Sequence, residues 1–280
     1  MTERPPASLP VRPPARAPGA AAACLLALDT ATECLAVGLC TPQGRWLQHE
    51  AGGAQASARL VPVVMDLLRQ AGTSLAGLDA IAFGVGPGAF TGLRTACAVA
   101  QGLGFGADRP LLPVDSLLIV AESARAEQAS AGQPDDGTGA WWVAVDARMD
   151  EVYAAEYHFD AAEGWHTRQA PALYTQAALA ERWARAQPQR VAGNAPRLFG
   201  ARLPVQGVRC IEPAEHPAQA QPAAQGAGGR AGALLRLAGA AWARGAQINA
   251  DQALPLYLRD KVALTTDERL RQRAAAAGAP

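Results

Sequence analysis

The chain has almost no lysine, few aromatics and no excess charge of either sign. Of 25 basic residues among 280, 24 are arginines and one is Lys261, against 25 acids, so the formal net charge is zero. A protein that holds nucleic acid chiefly by counterion release needs a cationic excess, and the balance argues against that class. Five cysteines (Cys24, Cys34, Cys40, Cys97, Cys210) are odd in number and none forms C-x-x-C. That leaves no zinc knuckle or thioredoxin-type motif, and thiols in apolar runs read as core residues of a reducing compartment. His49, His158, His166 and His216 stand singly, so H-x-x-x-H and H-E-x-x-H are missing. With no Ser/His/Asp or Cys/His constellation in view, a hydrolase or metalloenzyme has no support. No run approaches the roughly 20 apolar residues of a membrane span.

What is present is apolar: 50% of residues are hydrophobic, although only 5% are aromatic. That excludes a disordered chain, and the length suits one large domain or two lobes. Residues 1–23 differ. They are rich in Pro, Ala and Arg and lack apolar periodicity, so a disordered extension is expected. Ala21-Ala-Ala-Cys24 imitates a lipoprotein cleavage site, but the preceding R-P-P-A-R-A-P-G is no apolar signal core. A soluble, cytoplasmic protein without membrane contact is the expectation.

Three short apolar runs separated by turn residues, from Cys24 to Glu50, predict a β-meander. Residues 57–71, apolar at 60, 63, 64, 67, 68 and 71, follow helical spacing. A strand at 79–84, a helix at 91–105, a strand at 111–114 and a helix at 116–126 complete a first lobe, 24–128. A Gly/Asp/Pro/Ser linker (129–140) follows, and the pattern restarts in 141–263. There a meander, a helix at 175–186, a strand at 190–193 and an amphipathic helix at 231–244 are expected. The last helix has a plausible return to the first lobe. Residues 264–280 read as a tail. The fold class is α/β: two meander-plus-crossover lobes with mixed sheets flanked by helices.

The glycine-rich segment G-V-G-P-G-A-F-T-G-L-R (84–94) lies between a predicted strand and a predicted helix. It reads either as an anion cradle or as a structural turn that lets the helix pack closely. No Gly-Lys-Ser/Thr follows, so it is not a P-loop, and Asp115 lies 26 residues past Ala89, too far for the dinucleotide fingerprint. As an anion loop it would draw on Asp29, Thr30, Gly84, Gly86, Gly88, Thr91 and Gly92. Asp29-Thr-Ala-Thr-Glu33 is equally readable as a turn cap. D-A-R-M-D-E (146–151) is either a site or a hairpin ion-pair network. In the helix after the loop, Gly92, Ala96, Ala100 and Gly104 form an i, i+4 row of small residues, suited to its own sheet or to another subunit.

Four motifs together resemble the bacterial TsaB family, formerly YeaZ: L-L-A-L-D-T-A-T-E (25–33), F-G-V-G-P-G-A-F-T-G-L-R (83–94), D-A-R-M-D-E-V-Y (146–153) and P-L-Y-L-R-D-K-V-A (255–263). The resemblance implies duplicated RNase H-like lobes of the actin-like ATPase fold. It also implies a non-catalytic subunit that binds the TsaD transferase paralogue, with the TsaE ATPase, in making threonylcarbamoyladenosine beside the tRNA anticodon. The catalytic paralogue carries H-x-x-x-H where this chain has V-D-S-L-L-I-V-A-E (114–122), without histidine. No metal and no cofactor are therefore expected. Carried onto this sequence, the family's helix pairing makes Leu60, Val64, Leu67, Leu68, Ala71, Gly92, Ala96, Ala100 and Gly104 the expected partner interface. A homodimer through the same face is the lesser expectation. Two departures stand out: Gln55-Ala-Ser57 replaces a stretch that often carries histidine, and the N-terminal tail is additional. tRNA would be met mainly through the complex, with Arg259, Arg269, Arg271 and Arg273 as the chain's own contribution. The competing reading is a phosphotransferase or ATPase using Asp29, the 84–92 loop and the inter-lobe cleft.

Overall fold

Each half of the chain starts with a short strand whose side chains alternate between two covered faces, and that alternation dictates layers. The computed structural model describes residues 23–131, 137–213 and 228–259. The expected extension up to residue 22, residues 132–136 of the linker, His216, Lys261, the 264–280 tail and its three arginines lie outside the described residues. In the first half β1 (Leu25–Asp29), β2 (Cys34–Thr41) and β3 (Gly44–Ala51) form an antiparallel meander. β4 (Ala80–Gly86) and β5 (Leu111–Asp115) then join in parallel, giving the order β3-β2-β1-β4-β5. The second half repeats this with β6 (Gly139–Asp146), β7 (Glu151–Asp160), β8 (Gly164–Thr175), β9 (Arg190–Ala192) and β10 (Arg209–Ile211), ordered β10-β9-β6-β7-β8. These are two RNase H-like lobes of one actin-like α/β fold.

Side-chain alternation assigns the helices. Leu26, Leu28, Ile81 and Phe83 point to one face of the first sheet, beneath α1 (Ala56–Gln70) and α2 (Phe90–Ala107). Leu25, Ala27, Ala80 and Ala82 point to the other, against α6 (Gly229–Ala243). In the second sheet Trp142 and Ala144 pack under α4 (Gln176–Ala186) and α5 (Ala195–Phe199), while Trp141 and Val143 meet α3 (Ser116–Ser130). The layer between the sheets is therefore α3 and α6. The late helix α6 sits on the first sheet, although its sequence position is in the second half.

The expected interface residues require correction. Leu60, Val64, Leu67, Leu68, Ala96 and Ala100 are at most 2% exposed, and Gly92 and Gly104 are buried with them. Ala71 packs against the same core. The reason is energetic: an apolar stripe beside an apolar sheet is worth about 1.5–3 kcal/mol for each buried Leu or Val, and the chain's own sheet takes it first. The small row lets α2 sink onto the sheet. A Cβ at Gly92 would lie 1.8 Å from the Thr30 carbonyl oxygen.

Smaller differences have local causes. β8 runs through to Thr175, with two register shifts against β7 around Glu156, and Pro171 is tolerated on this edge strand. Thr175 then caps α4, its Oγ1 accepting from the Ala178 amide at 3.2 Å. α5 and β10 have five and three residues, too few to leave a periodic signal.

Candidate functional site

The glycine-rich segment is pressed against the chain's own 29–31 turn. Asp29, fully buried at the end of β1, accepts from the Ala31 amide (3.1 Å), the Ser116 hydroxyl (3.4 Å) and Arg230 Nε (2.7 Å). The guanidinium comes from the first turn of α6, and the pair is buried on both sides. Only glycine fits at position 84, where a Cβ would lie 1.7 Å from Asp29 Oδ2. Thr30 donates to the Gly92 carbonyl (2.7 Å), and the Ala89 amide donates to the Ala31 carbonyl (2.8 Å). The Gly86 amide donates to Ser116 Oγ (3.0 Å), Gly88 abuts Ala31, and Thr91 is exposed with its carbonyl taken by the Thr95 hydroxyl. Every residue of the expected anion loop thus has a place in the fold, and the loop's one buried carboxylate is already neutralised.

Next to it the lobes enclose a cleft of about 690 Å³, lined from the first lobe by the 31–33 turn, Phe90 and Ser116, and from the second by Asp146–Met149, Asn194 and Arg197. Among the described residues its lining contains no histidine, cysteine or lysine. Its arginines all meet carboxylates: Arg230 on Asp29, Arg197 on Glu212 (2.6 Å), Arg148 on Glu33 and Asp146 (both 3.4 Å), and Arg259 on Glu151 (2.6 Å). Among the described residues no cluster of three His, Cys, Asp or Glu side chains could hold a metal. His49 is buried, and its Nε2 accepts from the Ala231 amide at 3.2 Å, away from the cleft.

Behind the cleft a buried joint ties the lobes. Asp115 caps α3, its Oδ1 accepting from the Leu117 amide at 2.8 Å, while Oδ2 accepts from the Tyr157 hydroxyl of the second sheet. Burial pushes the Asp115 carboxyl up to about 6, with the Tyr157 and backbone bonds only partly opposing it. Burial and the adjacent carboxylate also raise the Tyr157 hydroxyl. Two turns on, burial alone would raise Glu122. Arg125, Arg236 and Trp165 outweigh it and hold the carboxyl below its usual range.

At the open rim, a C-terminal strap (253–259) runs along α2. The Gln101 side chain donates to the Ala253 carbonyl (3.1 Å), the Leu256 amide donates to Val85 (2.7 Å), and Arg94 donates to the Tyr257 hydroxyl (2.9 Å). The Tyr257 ring stands 5.2 Å from Phe90. The strap ends with Arg259 on the β6–β7 hairpin, where Arg148, Met149 and Asp150 all have φ between 56° and 63°. Left-handed non-glycine residues cost about 1–2 kcal/mol each.

On the opposite, outward side of the first lobe, α1 and α2 leave apolar side chains uncovered. Val61 and Met65, one turn apart, are 40% and 45% exposed, and Phe105 is 63% exposed. On α2, Ala98, Gly102 and Gly106 are exposed as well. Cβ atoms at Gly102 and Gly106 would meet nothing within 4 Å. Internal packing does not account for these glycines, which cost a helix about 1 kcal/mol each relative to alanine.

Comparison with known proteins fits this geometry. A family model described as "TsaD: tRNA N6-adenosine threonylcarbamoyltransferase" matches residues 50–181. TsaB of Escherichia coli K12, a tRNA threonylcarbamoyladenosine biosynthesis protein, is 37% identical over 158 residues, 56% of this chain and 65% of that protein. Its Haemophilus influenzae namesake is 38% identical over 136 residues, 47% of this chain and 52% of that one. The chain thus spans between half and two thirds of these curated relatives. The structure of YeaZ from Pseudomonas aeruginosa is 38% identical with a TM-score of 0.68, covering 84% of this chain and 100% of that one. The chain belongs to the TsaB/YeaZ family. A further P. aeruginosa structure, described as an uncharacterized protein with similarity to peptidase YEAZ, is 38% identical and aligns with a TM-score of 0.69, covering 85% of this chain and 100% of that one.

Within this TsaB/YeaZ chain the motifs converge. The 25–33 and 83–94 runs form the packed Asp29 unit, and the 146–153 and 255–259 runs meet at the cleft rim. Residues hidden from sequence reasoning are Arg230, Tyr157 and the outward residues Val61, Met65, Gly102 and Phe105. Only Gly102 left a signal there, as a helix glycine outside the small row. Among the described residues no helix is long and apolar enough to cross a membrane.

Proposed function

We propose that this protein is a non-catalytic partner subunit in tRNA threonylcarbamoyladenosine biosynthesis, which docks on a TsaD-like transferase and activates it. The observation that carries the reading is the buried Asp29–Arg230 pair. In the cleft where a nucleotide and its cation would need a free carboxylate, the chain supplies its own guanidinium. The cleft arginines are paired as well, so little positive charge is left for phosphates. Docking is assigned to the outward face of α1 and α2, through Val61, Met65, Ala98, Gly102 and Phe105. Exposed apolar side chains beside helix glycines suit close helix-on-helix contact. A TsaE-like ATPase would join the same complex, and tRNA would be held mainly by the partners, consistent with the zero net charge. A second copy of the chain is the competing occupant of the face.

The test is reconstitution. The transferase should be captured by this chain and should transfer threonylcarbamoyl to tRNA far faster with it than alone. Full activity of the transferase alone would refute the proposal. One observation favours the ATPase reading: a cleft of about 690 Å³ has room for a nucleotide. Stoichiometric ATP binding and turnover by the purified chain would establish that alternative.

A further inference from the structure

Two motifs that the proposed function leaves unused, D-A-R-M-D-E (146–151) and P-L-Y-L-R (255–259), meet at the rim of the cleft. Arg259 Nη2 donates to the carbonyls of Ala147 (3.0 Å) and Arg148 (3.2 Å) and to the Glu151 carboxylate (2.6 Å), and Nη1 lies 2.8 Å from the Met149 sulfur. The hairpin so gripped contains three successive left-handed residues, none of them glycine. Such strain persists only where surrounding contacts over-determine it. Local contacts supply part of the hold, Gln176 and Arg202 on Asp150 and Asp146 on the Arg148 amide, and Arg259 supplies the part that comes from a distant segment of the chain. The grip is itself incomplete, since Arg259 Nε is buried without a hydrogen-bond partner among the described residues.

The same strap is held on the other lobe by the Leu256–Val85 and Arg94–Tyr257 hydrogen bonds. The direct bridge between lobes at this rim, Arg148 to Glu33, has side chains 75% and 80% exposed and contributes little. Across the cleft, by contrast, the lobes share the buried Asp115–Tyr157 bond and the Glu122 network. One side of the cleft is a buried joint. The other is held by a strap.

We infer that residues 253–259 are a latch across the inter-lobe cleft, with Arg259 as its catch and the left-handed hairpin as the spring that opposes closure. Latched, the strap fixes the cleft at its observed width. Released, the hairpin relaxes and the lobes part about α3. This inference makes no use of the α1–α2 face and stands apart from the docking proposal.

Hydrogen exchange of the full chain, read peptide by peptide, tests it. Arg259→Met keeps an apolar stem and removes the catch. Amides at Leu256 and 147–151 should then exchange about tenfold faster, while the β6 and α3 amides keep their rates. Asp150→Gly removes strain, because glycine adopts positive φ freely, and it loses only exposed or weak polar contacts of Asp150. It should slow exchange at Leu256 by about two- to fivefold. A rate at Leu256 unchanged by Arg259→Met overturns the latch. An unchanged or faster rate in Asp150→Gly overturns the spring.

Discussion

Asp29 shows how a side chain suited to catalysis becomes architecture. Its carboxylate, the Ser116 hydroxyl and Arg230 join β1, α3 and α6 in one buried polar unit. Breaking one half of a buried ion pair strands the other charge, so Asp29→Asn or Arg230→Met should each destabilise by about 3–5 kcal/mol. Urea unfolding checks this, and a loss below about 1 kcal/mol would contradict the buried pair. The sequence put Asp29 beside the glycine-rich segment, and it did not reveal Arg230, which lies 201 residues away. Asp115 behaves differently. Its folded-state carboxyl is raised to about 6 from 3.8, so the folded protein holds a proton that the unfolded chain releases. The associated stability is present at low pH and is lost as pH rises through about 6, by about 3 kcal/mol at most. Asn at this position cannot titrate. The stability difference between the protein and Asp115→Asn should therefore shrink by about 1.4 kcal/mol between pH 5 and 7.5. A difference independent of pH would contradict the raised carboxyl.

At the scale of the element, periodicity identified the helices and the apolar face of α1. It could not say which apolar residues were left over after the sheet had been served. Leu67 and Phe105 divide the two roles. Leu67→Ala leaves a cavity under α1 and should cost about 2–5 kcal/mol. Phe105→Glu lies on the surface and should leave urea-unfolding stability within about 0.5 kcal/mol while abolishing capture of the transferase. A Phe105→Glu protein that still binds with undiminished affinity would move the interface elsewhere. The meanders were legible because their strands alternate and their turns carry glycine and proline. α5 and β10 were not, because short elements take their conformation from neighbours. Why α6 returns to the first sheet is also not local: Leu234, Ala238 and Trp242 fit a face already set by β1 and β4.

The whole molecule is a duplicated fold whose cleft is closed electrostatically from within and whose open apolar surface faces outward. Its duplication was readable from two meanders in tandem. The sharing of α3 and α6 between the sheets was not, since it depends on contacts across more than 100 residues of sequence. Zero net charge fits a subunit that works on another protein rather than on RNA directly. The measurement that bears most directly on this account is the rate of threonylcarbamoyl transfer to tRNA by the TsaD-like transferase, titrated with the intact chain and with Gly102→Arg. The intact chain should raise the rate to a plateau at one chain per transferase, and Gly102→Arg, folded but with its face blocked, should leave it at the level of the transferase alone. Equal stimulation by both, or none by either, would contradict it.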